Sequence, residues 1–136
     1  LKKLNINVEK RIENFTYLKN NLDNSENFYV PRTYSNVKTG WLAFPLILQG
    51  KLANKRKEMQ IFLEKEGIQT RTIFTGNIMR QPVSKKFEWD SFGSFEVSDE
   101  VMKSGILLGS HNRQPKENLD FLIMKIKEAE KKLINL

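Results

Sequence analysis

The residues best suited to chemistry lie in one short segment near the middle of the chain, at positions 75–82. An asparagine amide can donate and accept hydrogen bonds at once, and an arginine guanidinium presents a planar fork that suits a phosphate or a carboxylate. Loops at strand ends are where binding groups collect on a rigid scaffold. The segment therefore predicts an anion-binding loop, with a solvated surface turn as the alternative. Its candidate binding residues are Thr75, Asn77, Arg80 and Gln81.

A second candidate follows a later predicted strand, in Gly109-Ser110-His111. His111 is the only histidine, so any imidazole acid or base in this chain must be this residue. We treat His111 as a possible catalytic residue, and an ordinary loop histidine is the alternative. No metal site is expected, because the chain has no cysteine and no second cluster of ligand residues.

Four acidic residues also lie close together in sequence. They carry no paired-carboxylate signature, and we interpret them as loop and helix-start residues. They are Asp90, Glu96, Asp99 and Glu100.

The charge of the chain invites a nucleic-acid interpretation, because 136 residues carry a formal net charge of +7. The lysines of the last helix are mixed with glutamates, however, which is typical of a solvated helix face. The dense basic cluster at positions 51–57 has no interleaved aromatic residues for base stacking. We therefore expect no nucleic-acid partner, although a small basic module that binds RNA stays open as the alternative, as does a regulatory domain that binds a small ligand.

No membrane association is expected either. No run approaches the roughly 20 apolar residues that cross a bilayer, and the beginning of the sequence has no signal-peptide pattern. A cytoplasmic location is the corresponding expectation.

Helical and strand patterns alternate along the chain. The first helix carries one apolar stripe at Leu1, Leu4, Val8, Phe15, Leu18 and Leu22. Gly67 is expected to end the second helix in a Schellman motif. Pro45 predicts an edge position or a bulge within its strand. The predicted helices cover 1–22, the stretch between the cap Asn54 and Gly67, 98–103, and a last helix that begins at Pro115 and includes Leu133. The predicted strands cover 28–30, 41–48, 69–74 and 106–109.

These elements predict an α+β fold, a two-layer sandwich in which helices lie on one face of a small, mostly antiparallel sheet. The first helix has no capping signal at its start, which favours truncation inside or just before a longer helix. Trp41, Phe44 and parts of the helix from Leu4 to Leu22 are then expected to expose apolar surface, through which the chain would self-associate.

The same residues carry a resemblance. Gly67-Ile68-Gln69-Thr70-Arg71, followed by the segment 75–82, resembles the DegT/DnrJ/EryC1/StrS family, and within it the nucleotide-sugar 3-dehydratases. Three further stretches are similar in order and spacing: 9–22 to the helix that joins the two domains of the family, 41–46 to the first strand of its small domain, and 106–111 to its last strand.

The resemblance implies the C-terminal small domain of the aspartate-aminotransferase fold, with an interdomain helix at 1–25, the small domain at 26–136 and the large cofactor-binding domain outside this chain. It implies a homodimeric enzyme of lipopolysaccharide biosynthesis that uses pyridoxal or pyridoxamine phosphate on a nucleotide-sugar substrate. Aminotransferase and 3-dehydratase both stay open. The fragment alone would be inactive, contributing one wall of the active site.

Individual residues acquire roles only through this resemblance. Asn77 and Arg80 would face the sugar or the cofactor, and Arg80 would hold an anion, for example a substrate phosphate. Thr75 and Gln81 would orient the loop. Arg71 would contact the substrate or form a structural ion pair. His111 matches a histidine position of the family, but the following Asn112 and Arg113 depart from the family pattern.

Overall fold

The computed structural model describes residues 2–135, which form four helices and four strands. The helices are α1 Leu4–Leu22, α2 Arg56–Lys65, α3 Glu96–Ser104 and α4 Lys116–Ile134. The strands are β1 Phe28–Tyr29, β2 Ala43–Leu48, β3 Thr70–Thr72 and β4 Gly105–Gly109. Short 3-10 turns occupy Gly50–Leu52, Ile78–Arg80 and Pro82–Lys85.

The four strands form one sheet in the order β1-β2-β4-β3, and every neighbouring pair is antiparallel. Opposite residues of an antiparallel pair point to the same face, and successive residues alternate between faces. Phe44 opposite Leu108 and Leu46 opposite Ile106 therefore share one face, and all four are buried. This face joins α1, α2 and α4 in one apolar core. The predicted fold class is confirmed.

Helix α1 is only half covered by this core. Phe15, Leu18 and Leu22 in its second half are buried, whereas Leu4 in its first turn is exposed. Leu1, the first residue of the predicted stripe, lies outside the described residues. The apolar stripe is therefore confirmed where α1 packs against the rest of this chain, and its beginning faces solvent.

The expectation that Trp41 and Phe44 expose apolar surface is wrong. Phe44 is fully buried, and Trp41 is half-buried with its ring stacked on Phe15 at 3.6 Å between centroids and 6° between planes. Helix α1 of the same chain covers both residues, so neither needs a partner domain to leave water.

Two strand predictions need correction. The strand predicted at 69–74 is confined to Thr70–Thr72, because Phe74 has a φ of 48°, in the left-handed region that no strand adopts. Pro45 lies opposite Leu107 in an internal strand of the sheet rather than on an edge strand. Strand β1 reaches only the last two residues of β2, so Pro45 still has no strand neighbour on one side.

The predicted end of α2 is confirmed. Gly67 has a φ of 78°, its N–H donates to the Glu64 carbonyl at 3.1 Å, and the Ile68 N–H donates to the Leu63 carbonyl at 2.9 Å. These two bonds define a Schellman motif, which directs the chain from α2 into β3.

The antiparallel pairing gives the sheet two ends, which we name after the first and last residues of β4. At the Gly105 end, Thr72 lies opposite Ile106, so the chain leaves β3 beside the start of β4. At the Gly109 end, Ala43 lies opposite Gly109, so the loop after β4 lies beside the start of β2. The two predicted functional loops therefore emerge at opposite ends of the sheet.

Candidate functional site

The segment from Thr75 to Gln81 emerges at the Gly105 end and forms a tight loop that contains the 3-10 turn Ile78–Arg80. Gly76 has a φ of 73° and packs so closely against Met102 of α3 that a side chain there would lie 2.6 Å from the Met102 Cβ. The Asn77 side-chain oxygen caps the 3-10 turn by accepting a hydrogen bond from the Met79 N–H at 2.9 Å. Glycine at 76 and asparagine at 77 therefore set the path of this loop.

Asn77 and Arg80 converge on a third residue, Asp99 in the first turn of α3. The Arg80 Nε donates to the two carboxylate oxygens at 3.0 and 3.2 Å, and its Nη2 donates at 2.7 Å. The Asn77 Nδ2 donates to the Asp99 Oδ1 at 2.8 Å. An amide and a guanidinium edge thus surround one carboxylate, the arrangement that suits an anion.

The electrostatics of this cluster follow from the same contacts. Hydrogen bonds from Arg80 and then from Asn77 lower the pKa of Asp99, and the hydrogen bond to Asp99 raises the pKa of Arg80. Both groups are therefore charged at neutral pH. The Arg80 and Asp99 side chains are 55% and 36% exposed, whereas Asn77 is only 5% exposed. The ion pair faces solvent, and the amide lies beneath it.

The remaining residues of the segment close the loop on itself. The Gln81 Nε2 donates to the Thr75 carbonyl at 2.6 Å, and the Ser84 hydroxyl donates to the carbonyls of Met79 and Gln81. These bonds hold the loop in its path, and the orienting and binding roles of Thr75 and Gln81 stay predictions.

An apolar surface adjoins the loop. A groove runs between the loop and α3, with Ile73, Phe74 and Val101 in its lining. Phe74 is 86% exposed despite its positive φ, and Val97 on the other side of the groove is also exposed. A polar cluster beside exposed apolar side chains is typical of a surface that meets a ligand or another protein surface.

The structure does not bring Arg71 and His111 to this cluster. Arg71 is exposed and lies opposite Leu107, and its charge adds to the hydrogen bonds from Thr70 that lower the pKa of Glu64 on α2. His111 lies past the Gly109 end, and the four steps along β4 separate the two ends by about 14 Å. The Arg113 N–H donates to the His111 Nδ1 at 3.1 Å, and the Asn14 amide of α1 donates to the His111 carbonyl at 2.9 Å. These contacts give His111 a place in a local turn, and a catalytic role for it stays a prediction.

Sequence reasoning missed Asp99, which it assigned to a helix start. Asp99 does lie in the first turn of α3, but its carboxylate is the centre of the cluster. The available signal was an acidic residue in the first turn of the helix that follows an asparagine- and arginine-containing loop. That pattern is common in surface helices, so it does not single out Asp99.

Metal-ligand clusters and membrane-spanning helices are both missing from the part of the chain that the structure describes. Across residues 2–135, no group of three or more histidine, cysteine, aspartate or glutamate side chains lies together as a metal would require. Of the helices in this same range, none has the length and apolar character needed to span a bilayer.

Comparison with known proteins gives consistent results. Residues 1–127 match the model of the DegT/DnrJ/EryC1/StrS aminotransferase family. The lipopolysaccharide biosynthesis protein RfbH of Salmonella typhimurium is 30% identical over 122 residues, which is 89% of this chain and 28% of that protein. The GDP-4-keto-6-deoxy-D-mannose 3-dehydratase of Yersinia pseudotuberculosis is 29% identical over 129 residues, which is 94% of this chain and 32% of the enzyme.

A solved structure supports the fold. The E. coli GDP-4-keto-6-deoxy-D-mannose-3-dehydratase with bound hydrated PLP superposes with a TM-score of 0.84 at 24% identity, covering 93% of this chain and 32% of that one. The chain thus spans about a third or less of the length of the curated relatives it matches.

Proposed function

The chain belongs to the DegT/DnrJ/EryC1/StrS aminotransferase family, and from this membership we propose that it is the small domain of an enzyme that modifies nucleotide-linked keto sugars with pyridoxal or pyridoxamine phosphate. Two of its relatives are named for lipopolysaccharide biosynthesis and for 3-dehydration of a GDP-linked keto sugar. In this proposal residues 1–25 are the interdomain helix, 26–136 are the small domain, and a large domain outside this sequence carries the cofactor.

The observation that carries the proposal is the cluster at the Gly105 end. Three N–H groups from Asn77 and Arg80 already surround a carboxylate there, beside an apolar groove. A nucleotide sugar presents the same pair of features, because its diphosphate is anionic and its sugar and base have apolar faces. The loop would form one wall of the active site, with Arg80 holding the substrate anion.

The residues of the loop fit the substrate better than they fit the cofactor. Pyridoxal phosphate acts as an electron sink, which makes it easier to break a bond at the substrate carbon attached to it. A covalent attachment for it needs an amine, and positions 75–82 contain no lysine. Arg80 is suited to binding an anionic group, Asn77 to fixing the path of the loop, and exposed Phe74 to excluding water above the groove. The large domain would hold the cofactor.

Between the two activities of the resemblance, we favour the 3-dehydratase. The segment 75–82 resembles that branch, and the Yersinia relative bears its name. The full-length protein incubated with a GDP-linked 4-keto-6-deoxy sugar, pyridoxamine phosphate and glutamate would give a sugar that has lost a hydroxyl. The resemblance implies that the cofactor-binding lysine of the aminotransferases, in the large domain, is a histidine in the 3-dehydratases. A product that has gained an amino group, together with a lysine at that position, would assign the protein to the aminotransferases instead.

Substitution of Arg80 tests the role of the loop in the same assay. Removing a charge-assisted contact of about 1.5–3 kcal/mol predicts that Arg80→Ala raises KM for the nucleotide sugar by about 10- to 100-fold. Arg113→Ala is the matched control, since Arg113 lies past the Gly109 end of the sheet. Equal KM values for the two variants would show that Arg80 does not contact the nucleotide sugar.

A homodimer, a cytoplasmic location and inactivity of residues 1–136 on their own belong to the same proposal. Light scattering on the full-length protein measures its oligomeric state directly.

The RNA-binding alternative requires two exposed aromatic residues on one strand, and among the described strands only Tyr29 is both aromatic and exposed. Salt-dependent retention of RNA by this chain would revive that alternative.

A further inference from the structure

Asp99 occupies the binding groups of Arg80 and Asn77 in the way that a bound anion would. Its carboxylate accepts hydrogen bonds from the Nε and Nη2 of Arg80 and from the Nδ2 of Asn77, at 2.7–3.2 Å. These are the same donors that would be offered to a carboxylate or phosphate of a ligand. An external anion that uses this edge of the guanidinium must therefore compete with a carboxylate that the protein supplies.

The contacts indicate which part of the cluster can open. Asn77 is buried and is fixed at both ends of its amide, by the Met79 N–H and by Asp99. Arg80 and Asp99 are considerably more exposed, so water can replace their mutual contacts at small cost. Arg80 therefore can turn from Asp99 to a ligand, while Asn77 keeps both the loop and Asp99 in register.

The negative charge of a ligand then determines whether it can displace Asp99 from Arg80. A monocarboxylate that displaces Asp99 from Arg80 gives the guanidinium the same kind of partner that it loses, and it also bears the entropy cost of association. A diphosphate carries more negative charge and more acceptor oxygens, so its exchange for Asp99 is favourable. Because the Asp99 carboxylate competes for Arg80, a ligand needs more negative charge to bind there.

We propose that Asp99 is a specificity-determining residue, which reserves Arg80 for multiply charged phosphate ligands and keeps monocarboxylates such as acetate from binding to Arg80. This inference rests on the proposed function, in which the ligand is a nucleotide diphosphate sugar. It adds that the residue that selects a diphosphate over a carboxylate lies on α3, outside the loop.

The test follows the Arg80 Nε–H signal by NMR during titration of the 136-residue chain at constant ionic strength. Inorganic pyrophosphate should shift this signal in the unmodified chain, and acetate at equal concentration should not. In Asp99→Asn the preference for pyrophosphate over acetate should fall by about fivefold, the size expected for competition from an exposed carboxylate.

Two control variants separate this effect from others. Glu96→Gln removes the same charge from α3, one turn before Asp99, and should keep the preference of the unmodified chain. Arg80→Lys keeps the charge but loses the fork; because lysine has no Nε–H, the backbone N–H of residue 80 is followed instead, and it should not respond to pyrophosphate. Thermal unfolding of each variant confirms that the fold is retained.

Three results would overturn the inference: no response to pyrophosphate, an unchanged preference in Asp99→Asn, or an equal loss of preference in Glu96→Gln. The proposed function is judged separately, by the sugar product of the full-length enzyme. A chain with an Asp99-dependent preference but no activity on keto sugars would refute the function and retain the specificity role.

Discussion

The two ends of the sheet place similar residues in opposite circumstances. Each end has an aromatic residue with a positive φ, Trp41 at the Gly109 end and Phe74 at the Gly105 end. Trp41 stacks on Phe15 of α1, whereas Phe74 is 86% exposed. Backbone strain persists where surrounding contacts over-determine it, and only Trp41 has such contacts within the described chain.

The polar groups differ in the same way. At the Gly109 end, amides of α1 and of the loop after β4 bind one another, as in the contacts of Asn14 with His111 and of Asn112 with Asn7. At the Gly105 end, the Arg80–Asp99 pair faces solvent beside exposed apolar side chains. Helix α1 covers Trp41 at the Gly109 end, whereas Phe74 at the Gly105 end stays exposed. We therefore call the Gly105 end the open end and place the candidate site there.

The largest expected effect is a contrast between the two strained aromatic residues. Trp41→Asn should lower the free energy of unfolding by about 3–4 kcal/mol, because the stack on Phe15 is lost. Phe74→Asn should leave it unchanged or raise it by up to about 1 kcal/mol, because asparagine tolerates a positive φ and little buried area is lost. Urea unfolding of both variants measures the difference, and a large loss at Phe74 would show that its end of the sheet is also closed.

A second pair of substitutions compares two glycines with similar backbone angles. Gly76→Ala should cost about 2–3 kcal/mol, because a Cβ at φ 73° is strained and also collides with Met102. Gly67→Ala at φ 78° should cost about 1 kcal/mol, because nothing lies within 4 Å of the added Cβ. Equal losses in thermal unfolding would mean that the loop does not pack on α3 as described.

The smallest effect concerns two carboxylates. Hydrogen bonds from the Thr70 N–H and hydroxyl lower the pKa of Glu64 near the Gly109 end, as Arg80 and Asn77 lower that of Asp99. A lowered folded-state pKa stabilises the protein above the unfolded-state pKa, and this contribution is lost as the pH falls through the folded-state value. Glu64→Gln and Asp99→Asn should therefore each reduce the loss of stability on acidification.

Salt distinguishes these two carboxylates. Asp99 depends on an exposed charged partner, so the effect of Asp99→Asn should shrink in high salt. Glu64 depends mainly on neutral donors, so the effect of Glu64→Gln should persist. Denaturant unfolding at low and high salt across the acid range checks both, and a salt-insensitive Asp99 would argue that the open end is shielded from solvent.

Much of the fold was predictable because it depends on local patterns. The buried half of the α1 stripe, the glycine that ends α2 and the order of helices and strands follow from periodicity and from the backbone freedom of glycine. The loop at 75–82 was also predictable from the sequence, because an amide and a guanidinium lie close together after a predicted strand. The early end of β3 was missed, since the positive φ of Phe74 has no signal in the residue type.

The sequence by itself determined the elements of this protein and the chemistry that its loop can offer. Only the tertiary structure decided that Asp99, 19 positions beyond Arg80, binds the loop, and that His111 lies at the far end of the sheet. The physical reason is that periodicity reports which side of one element avoids water. Which side chains meet depends on strand pairing and helix packing, and these are set by the whole core at once.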